Sequence, residues 1–421
     1  MTECGMLIIG AGETGARAAG ELRDRGWTGN ITLVGEEALA PYERPPLSKR
    51  ALLEAGDPEP AFIQGRERLE ALNIRFMKER RAIAIERDEH AVRLEDGTLL
   101  RYERLLLATG ARPRRLPSER LASDGAGVLY LRSFADALTL RGRLRPGRRI
   151  AIVGGGFIGL EVAASARELG CEVAVIEAGP RILMRGVPEA LAAVVDARHR
   201  AAGVSFKLGA GIGGMTREGG GFRVRLTDGE VLTCDAVVAG IGAMPATELA
   251  ADAGLALDNG ICTDERLATS DPDIFAAGDC CSFPHPLYDG KRLRLEAWRN
   301  AQDQGAHVAG SMLGAGEAYG SVPWFWSDQY DLTLQVAGLP DAGTTTVRRS
   351  LGEKGSLFFH LAGDGRLVAA SGIGHPAVAK EIRLAEMLIE RRAVPDPLAL
   401  SNPELSLRSL LKNETRETPR L

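Results

Sequence analysis

Short apolar runs that end in glycine divide the chain into strand, turn and helix segments. The first run begins at Met6 and leads through the turn Gly-Ala-Gly-Glu-Thr-Gly into an alanine-rich segment that predicts a helix to Arg25. A second apolar run begins at Ile31 and ends at Glu36. Because two short apolar runs joined by a helical segment are typical of a βαβ unit, this part of the chain predicts two parallel strands linked by a helix.

The same pattern returns later in the chain. An apolar run over residues 149–153 leads into Gly-Gly-Gly-Phe-Ile-Gly, a helical segment to Leu169 and a further apolar run that ends at Glu177. Gly154 follows Gly10 by 144 residues. We therefore expect an α/β protein with two Rossmann-like dinucleotide-binding domains.

The remaining segments predict how these two domains are completed. Asp96-Gly97 and Asp228-Gly229 lie between alternating apolar and polar stretches, which predicts a small antiparallel hairpin in each half. Strand patterns near residues 332–336 and 357–361 precede an amphipathic helix at 377–391, which predicts a separate C-terminal α+β domain. The expected domains are a discontinuous first domain, a central domain and a C-terminal domain: 1–112 with 241–319, 113–240, and 320–421.

The composition argues against several classes of function. The formal net charge of -4 gives no basic field for nucleic acid, and no apolar stretch approaches the ~18 residues of a membrane helix. The chain reaches its first strand pattern almost at once, so we expect a cytoplasmic protein without a membrane segment. The 6 cysteines are scattered and form no Cys-x-x-Cys pair, so neither a metal site nor a disulfide framework is predicted.

The first glycine turn has the spacing of a dinucleotide-binding loop. Gly10 suits the tight turn after the strand, Gly12 lets the backbone approach a pyrophosphate, and Gly15 lets the helix pack closely on the strand. Unpaired N–H groups and the macrodipole at the helix N-terminus favour the anion. Glu36 lies 26 residues after Gly10, where a carboxylate accepts hydrogen bonds from ribose hydroxyls.

The second glycine turn predicts a second dinucleotide, since it repeats the same three positions: Gly154, Gly156 and Gly159. Glu177 lies 23 residues after Gly154, and a carboxylate there binds a ribose 2′-hydroxyl and repels a 2′-phosphate. NADH is therefore favoured over NADPH. Gly242, after a later apolar run, is assigned to the same site. Arg181 and Arg185 lie downstream and leave some use of NADPH open.

Further motifs carry a resemblance to a known family. The chain resembles the oxygenase-coupled NADH:ferredoxin reductases, a group within the glutathione reductase-like class of flavoproteins. The resemblance covers nearly the whole chain and rests, beyond the two glycine turns, on these motifs: Tyr42-Glu-Arg-Pro-Pro-Leu-Ser-Lys49, Ala108-Thr-Gly110, Gly155-Gly-Phe-Ile-Gly-Leu-Glu161, Gly278-Asp279, Trp298-Arg-Asn-Ala-Gln-Asp-Gln-Gly305, Val322-Pro-Trp-Phe-Trp-Ser-Asp-Gln329 and Leu400-Ser-Asn-Pro-Glu-Leu-Ser-Leu-Arg-Ser-Leu-Leu411.

The resemblance implies which dinucleotide each turn binds. It places FAD at the first glycine turn, with Thr109 and Gly110 nearby and Asp279 on the ribityl chain, and NADH at the second. It implies that Lys49 lies beside the isoalloxazine and pairs with Glu161. Without the family, Lys49 reads as a surface cation and Glu161 as a carboxylate favoured by the helix dipole.

The resemblance also implies an electron acceptor. The partner is a [2Fe-2S] ferredoxin, of the Rieske type or the plant and adrenodoxin type, that feeds an oxygenase, and the reductase is a monomer or a homodimer. Trp326 is placed near the flavin or the electron exit, although a core aromatic at a domain interface is an equal alternative. Lys49, Glu161 and Trp326 are the predicted catalytic residues. Three arginines are candidate docking groups: Arg292, Arg294 and Arg299.

The departures from the wider class narrow the chemistry. No spaced cysteine pair occurs around residues 40–60, so disulfide reduction lacks its nucleophile. The adjacent Cys280 and Cys281 are expected to be two reduced, packed thiols. Two alternatives stay open at this point: an NADH oxidase or other flavin reductase, and a redox-controlled interaction protein of the apoptosis-inducing-factor type.

Overall fold

The computed structural model describes residues 4–117, 127–374 and 377–414. Within these ranges, none of the helices has the length and apolar character needed to cross a membrane. The helices are α1 Glu13–Asp24, α2 Arg50–Leu53, α3 Arg66–Ala71, α4 Phe134–Arg141, α5 Phe157–Glu168, α6 Glu189–Ala201, α7 Glu248–Asp252, α8 Trp298–Met312, α9 Ala377–Glu390, α10 Pro397–Ser401 and α11 Leu407–Glu414.

The strands are short and are numbered in chain order. They are β1 Gly5–Ile9, β2 Asn30–Val34, β3 Arg75–Met77, β4 Ala82–Glu86, β5 Ala91–Leu94, β6 Leu99–Arg101, β7 Arg104–Leu107, β8 Ala111–Pro113, β9 Val128–Leu129, β10 Arg149–Val153, β11 Glu172–Glu177, β12 Ser205–Leu208, β13 Ile212–Glu218, β14 Gly221–Leu226, β15 Val231–Cys234, β16 Ala236–Ala239, β17 Ala243–Pro245, β18 Ile261–Cys262, β19 Ile274–Ala276, β20 Cys281–His285, β21 Lys291–Leu293, β22 Trp324–Gln329, β23 Leu332–Gly338, β24 Thr345–Ser350, β25 Gly355–Leu361 and β26 Leu367–Gly374.

The chain packs into two compact units. Unit 1 comprises Met1–Glu43, Pro60–Arg112 and Met244–Pro323. Its centre is a parallel sheet in the order β19-β7-β1-β2-β3, accompanied by the antiparallel sheet β4-β5-β6. β1 is apolar along its whole length and all 5 of its residues are buried, as expected for an inner parallel strand covered on both faces.

Unit 2 comprises Arg44–Glu59, Pro113–Ala243 and Trp324–Leu421. It repeats the parallel arrangement in the order β12-β11-β10-β16-β9, with an antiparallel sheet β13-β14-β15. The C-terminal part adds a 5-stranded antiparallel sheet, β22-β23-β26-β25-β24, against which α9 packs. A core cluster joins α5 and α6 to this sheet through Leu160, Leu191, Leu334 and Ile373.

The structure confirms the predicted fold class. Both βαβ units, both Asp-Gly hairpins and the C-terminal sheet with its long helix are present. One detail of the prediction is wrong: β2 ends at Val34, so Glu36 lies 2 residues beyond the strand rather than at its end. The division into three domains stays a prediction.

Candidate functional site

The first glycine turn joins β1 to α1 in unit 1. Gly10 has a φ of +113°, and a Cβ there would lie 2.1 Å from the Ala108 carbonyl oxygen. A Cβ at Gly15 would lie 1.9 Å from the Gly10 carbonyl oxygen, whereas one at Gly12 would meet nothing within 4 Å. Gly10 and Gly15 are therefore required by the protein itself, and Gly12 is required only by something that approaches from outside.

The N-terminus of α1 is suited to an anion. Gly12 is its N-cap residue, and no side chain caps the helix. The first helical hydrogen bond runs from the Ala16 N–H to the Gly12 carbonyl, so the N–H groups of the first turn point out of the helix without intrahelical partners. An open glycine in front of an uncapped helix N-terminus forms a cradle that fits the pyrophosphate of a dinucleotide.

Gly278 and Asp279 lie beside this cradle. A Cβ at Gly278, whose φ is +82°, would come within 2.4 Å of the Thr14 hydroxyl, so the Gly278-Asp279 turn abuts the first turn of α1. Gln304 is fully buried, and its Oε1 accepts from the Gly278 N–H at 2.7 Å. Its Nε2 is buried without a hydrogen-bond partner in the structure, as expected for a group that awaits a ligand or water. Sequence reasoning missed Gln304, although it lies within one of the family motifs.

The other predicted flavin residues of unit 1 are Thr109, Gly110 and Glu36, and they differ in their exposure and hydrogen bonding. Gly110 has a φ of +70°, and the Thr109 hydroxyl donates to the Ala246 carbonyl at 2.6 Å. Glu36 is exposed, with its Oε1 3.6 Å from Nε of Arg81. Adjacent Glu37 accepts a hydrogen bond from the Tyr42 hydroxyl. Glu36 is therefore a surface carboxylate beside Arg81, and its role in binding ribose stays a prediction.

Glu13 brings a buried carboxyl to the first turn of α1. Burial raises its pKa, and nearby Glu43 raises it further. Gln302, Arg17 and Trp298 offset part of this effect. The first turn of α1 therefore carries a desolvated carboxyl group whose pKa lies above that of an exposed glutamate.

The second glycine turn, between β10 and α5 in unit 2, has nearly the same geometry as the first. Gly154 has a φ of +108°, and its Cβ would lie 2.4 Å from the Gly240 carbonyl oxygen. A Cβ at Gly159 would lie 2.1 Å from the Gly154 carbonyl oxygen, and one at Gly156 would meet nothing within 4 Å. Gly156 is again an N-cap residue without a side-chain cap. The residues of unit 2 thus fit a second dinucleotide.

Glu177 is tied to the second turn. Its Oε2 accepts from the Gly155 N–H at 2.7 Å, and its Oε1 accepts from the Gly179 N–H at 2.7 Å. The strand registers make Gly35 of unit 1 the equivalent of Glu177, because Val34 pairs with Ile9 as Ile176 pairs with Val153. Unit 1 therefore lacks a carboxylate at this position, and Glu36 is one residue late.

Two arginines downstream of Glu177 are the candidates for admitting NADPH. Arg181 donates to the backbone carbonyls of Ile182, Leu183 and Val187 and so is committed to its own loop. Arg185 is exposed, and its Nη2 lies 3.1 Å from the point where a Cβ of Gly242 would be. Arg185 is thus the cation that accompanies the predicted NADH residue Gly242, whose φ is +103°.

Lys49 and Glu161 form an ion pair in unit 2, as the resemblance implies. Lys49 Nζ lies 2.9 Å from Glu161 Oε1, and the two side chains are 25% and 5% exposed. Glu161 extends from the first turns of α5, and Lys49 lies between the short helical turn Pro45–Ser48 and α2. Their catalytic role stays a prediction.

A chain of buried polar groups, missed by sequence reasoning, continues from Glu161. The Ser48 hydroxyl donates to Glu161 Oε2, and the Ser327 hydroxyl donates to Oε1 at 2.7 Å. Gln329 Nε2 donates to Ser327 Oγ at 2.9 Å, and Gln329 Oε1 lies 2.7 Å from His199 Nε2. We call these residues the Glu161 network. The available signal was the period-2 spacing of Ser327 and Gln329 in a strand that begins with Trp-Phe-Trp.

The opposite face of β22 carries an aromatic pair. Trp324 and Trp326 stack with ring centroids 5.4 Å apart and an interplanar angle of 26°. Trp326 Nε1 donates to Asp328 Oδ2 at 2.9 Å. Both indole rings are half-buried. The pair is therefore a partly accessible stacked aromatic surface, and Trp326 as the electron exit stays a prediction.

The proposed docking arginines are engaged within unit 1. Arg294 is 11% exposed, with Nη1 2.6 Å from Glu296 Oε1 and 3.2 Å from the Asp279 carbonyl oxygen. Arg292 donates to the backbone carbonyls of Thr263 and Ser282. Arg294 is therefore mostly occupied within unit 1, whereas Arg292 is exposed and Arg299 Nε lies 3.8 Å from Asp303 Oδ2. A docking role for these three arginines stays a prediction.

The adjacent cysteines of unit 1 are buried thiols, as expected. Cys280 and Cys281 are both fully buried and unbridged. Burial raises the pKa of both, which keeps them in the unreactive thiol form.

Comparison with known proteins places this chain among flavoprotein reductases. Residues 5–305 match the family model of pyridine nucleotide-disulphide oxidoreductases, and residues 324–411 match a reductase C-terminal model. The ferredoxin–NAD(+) reductase component of an anthranilate 1,2-dioxygenase system from Burkholderia cepacia is 43% identical over 96% of this chain and 98% of its own. Putidaredoxin reductase from Pseudomonas putida is 37% identical over 96% of each chain.

Solved structures give the same picture. A covalent putidaredoxin reductase–putidaredoxin complex is similar with a TM-score of 0.91 and 34% identity, covering 99% of this chain and 100% of that one. A ferredoxin reductase from Rhodopseudomonas palustris is similar with a TM-score of 0.89 and 36% identity, covering 97% and 99%.

Proposed function

The chain belongs to the pyridine nucleotide-disulphide oxidoreductase family, and from that premise we propose that it is an FAD-dependent NADH:ferredoxin oxidoreductase that supplies an oxygenase. The observation that carries the proposal is the duplicated open glycine turn, one in each unit, in a chain without a cysteine pair near residues 40–60. Without a cysteine pair to take the electrons, a bound flavin would have to pass them directly to an external acceptor, and the relatives' names support a ferredoxin as that acceptor.

The residues divide the work between the two cradles. The α1 N-terminus would hold the FAD pyrophosphate, with Asp279 on the ribityl chain, and the α5 N-terminus would hold NADH. Bound FAD supplies the conversion between a two-electron donor and a one-electron acceptor. Lys49, held by Glu161, would set the charge beside the isoalloxazine, so no acid–base triad is required of the chain.

The acceptor we propose is a [2Fe-2S] ferredoxin, in a cytoplasmic oxygenase system. The relatives support it, because they are named as ferredoxin–NAD(+) reductase components and one solved relative is joined to putidaredoxin. In this proposal the ferredoxin is of the Rieske type or of the plant and adrenodoxin type, and the reductase is a monomer or a homodimer. The stacked Trp324 and Trp326 are our candidate for the exit surface.

The proposed function is tested by measuring which acceptor reoxidises the reduced flavoprotein. Purified protein is loaded with FAD, reduced with NADH and mixed with a panel of [2Fe-2S] ferredoxins at several salt concentrations, beside air alone. We expect at least one ferredoxin to reoxidise it faster than dissolved oxygen, with a rate that falls with salt, since exposed charges are screened over ~8–10 Å. If oxygen outpaces every ferredoxin, the chain is an NADH oxidase.

The exit is tested with a matched pair of variants. Trp326→Phe removes the indole at the proposed exit, and Trp27→Phe makes the same change in unit 1. We expect only Trp326→Phe to slow ferredoxin reduction. Equal rates for both variants would leave the reductase function intact and remove Trp326 from the exit.

A further inference from the structure

The Glu161 network is a continuous, buried run of polar side chains, and apart from Glu161 itself none of its members has a role in the proposed function. Ser48, Ser327 and His199 are at most 1% exposed, Gln329 is 3% exposed and Glu161 4%. They come from different parts of unit 2: the turn before Lys49, strand β22, and helices α5 and α6. Burying this many polar groups is costly unless each is hydrogen-bonded, so the arrangement restricts where its protons lie.

The position of each proton in the Glu161 network follows from which side-chain atoms can donate a hydrogen bond and which can only accept one. An ionised Glu161 only accepts, so Ser327 must give it its single hydroxyl proton. Ser327 Oγ then accepts from the Gln329 amide nitrogen, which turns Gln329 Oε1 toward His199. An amide oxygen only accepts, so the proton between them belongs to His199 Nε2.

At His199, the end of the network farthest from Glu161, each hydrogen bond also has one donor and one acceptor. With its proton on Nε2, His199 presents a bare Nδ1, which lies 3.3 Å from the Tyr330 hydroxyl. Burial raises the pKa of Tyr330 to about 12, so this hydroxyl keeps its proton and donates it. Burial also lowers the pKa of His199, which favours the neutral imidazole that the network requires.

Every donor in the network therefore points toward Glu161. We infer that His199 is a positioning residue for the Lys49–Glu161 pair, acting through Gln329 and Ser327. The neutral imidazole fixes the Gln329 amide, the amide orients the Ser327 hydroxyl, and that hydroxyl holds Glu161 Oε1, the same oxygen that binds Lys49 Nζ at 2.9 Å. The inference rests on the proposed function, since that function places Lys49 beside the flavin.

His360 provides a matched control within the same unit. It is also a buried histidine, 5% exposed, with Thr346 and Ser371 as its hydrogen-bond partners. None of these three residues is part of the Glu161 network. Replacing His360 removes a buried imidazole without touching Glu161, so it measures the general cost of such a change.

The experiment measures the midpoint potential of bound FAD, together with thermal unfolding, in wild type, His199→Leu, His199→Gln, Ser327→Ala and His360→Leu. A displaced Lys49 stabilises the reduced flavin less, so we expect His199→Leu and Ser327→Ala each to lower the reduced-to-oxidised ratio about tenfold, which is about 30 mV for a two-electron couple. His199→Gln retains a donor near the Nε2 position and should restore most of the potential. His360→Leu should lower the unfolding temperature and leave the potential unchanged.

A double variant separates a network from two independent effects. In the Ser327→Ala background the link to Glu161 is already cut, so adding His199→Leu should lower the potential no further. The inference is overturned if His199→Leu leaves the potential of a normally loaded protein unchanged, if the two shifts add, or if His360→Leu shifts it equally. A wild-type protein that takes up no FAD would instead overturn the proposed function, and the inference with it.

Discussion

The contrast between Gly12 and Gly15 gives the sharpest test of the first cradle. At Gly12, φ is -88° and ψ is -164°, which alanine can adopt, and a Cβ would meet nothing within 4 Å. The change reduces the freedom of the unfolded chain, worth about 0.4–1 kcal/mol, but alanine is a poorer N-cap by a similar amount. We therefore expect Gly12→Ala to change the free energy of unfolding by less than about 1 kcal/mol.

The same substitution at Gly15 has a different cost. Its Cβ would lie 1.9 Å from the Gly10 carbonyl oxygen, so the helix and the turn must separate by about an ångström. Overpacking of this kind costs about 1–3 kcal/mol or more. Gly15→Ala should therefore lower the stability of unit 1 even in the absence of FAD.

Gly12→Ala should weaken FAD binding strongly, although it should change the stability of the protein little. A methyl group at Gly12 occupies the place where a pyrophosphate would approach, and losing two charge-assisted hydrogen bonds from the helix N-terminus costs about 3 kcal/mol or more. The apoprotein should then bind FAD at least about 100-fold more weakly, as measured by quenching of flavin fluorescence. Gly156→Ala is the matched control, since it should leave the protein yellow and raise the KM for NADH instead.

Two outcomes would refute this reasoning. If Gly12→Ala destabilises the apoprotein as much as Gly15→Ala does, the space at Gly12 is not open. If Gly12→Ala binds FAD as tightly as wild type does, the dinucleotide does not approach this turn, and the assignment of the first cradle fails.

Three further predictions concern unit 2. Wild type should show a higher kcat/KM with NADH than with NADPH, and Glu177→Ala should lower the NADH value at least about tenfold, because the carboxylate also holds the Gly155 and Gly179 N–H groups; an equal or higher wild-type value with NADPH contradicts the assignment. Glu161→Leu should cost about 3–5 kcal/mol in urea unfolding by leaving the mostly buried Lys49 unpaired, and a cost under about 1 kcal/mol would show that the pair is not desolvated. Burial lowers the pKa of His360 to about 4, below its unfolded value near 6.5, so its contribution to stability is full above about pH 6.5 and is lost as the pH falls toward 4. His360→Asn should remove about 3 kcal/mol of this dependence of the unfolding free energy on pH. Parallel curves of unfolding free energy against pH for wild type and variant would contradict the prediction.

The sequence alone was sufficient to predict the elements that depend on a local pattern of residues. Glycines at fixed spacing between a strand and a helix predict both cradles, because the turn, the open approach and the close packing each require a residue without a side chain. Asp-Gly turns predict the hairpins for the same local reason. The Lys49–Glu161 pair joins residues 112 positions apart, and only the resemblance to a family predicted it.

Features that depend on tertiary packing could not be predicted from the sequence. Nothing near Arg294 in the sequence shows that it is buried against Glu296 and the Asp279 carbonyl. His199 lies in the last turn of α6, and no local pattern reveals its hydrogen bond to Gln329, which is 130 residues away. Glu36 looks equivalent to Glu177 until the strand registers place Gly35 there instead.

Strand β22 carries the two roles proposed above on its two faces, which would restrict how the protein can evolve. Its odd-numbered residues Ser327 and Gln329 face Glu161, and its even-numbered residues Trp324 and Trp326 form the aromatic surface. Inserting or deleting one residue would exchange the two faces along the rest of the strand and disable both together. Variation should therefore accumulate here by substitution on the tryptophan face alone. An engineer who wishes to change the electron partner should likewise replace side chains on that face and leave the length of the strand unchanged.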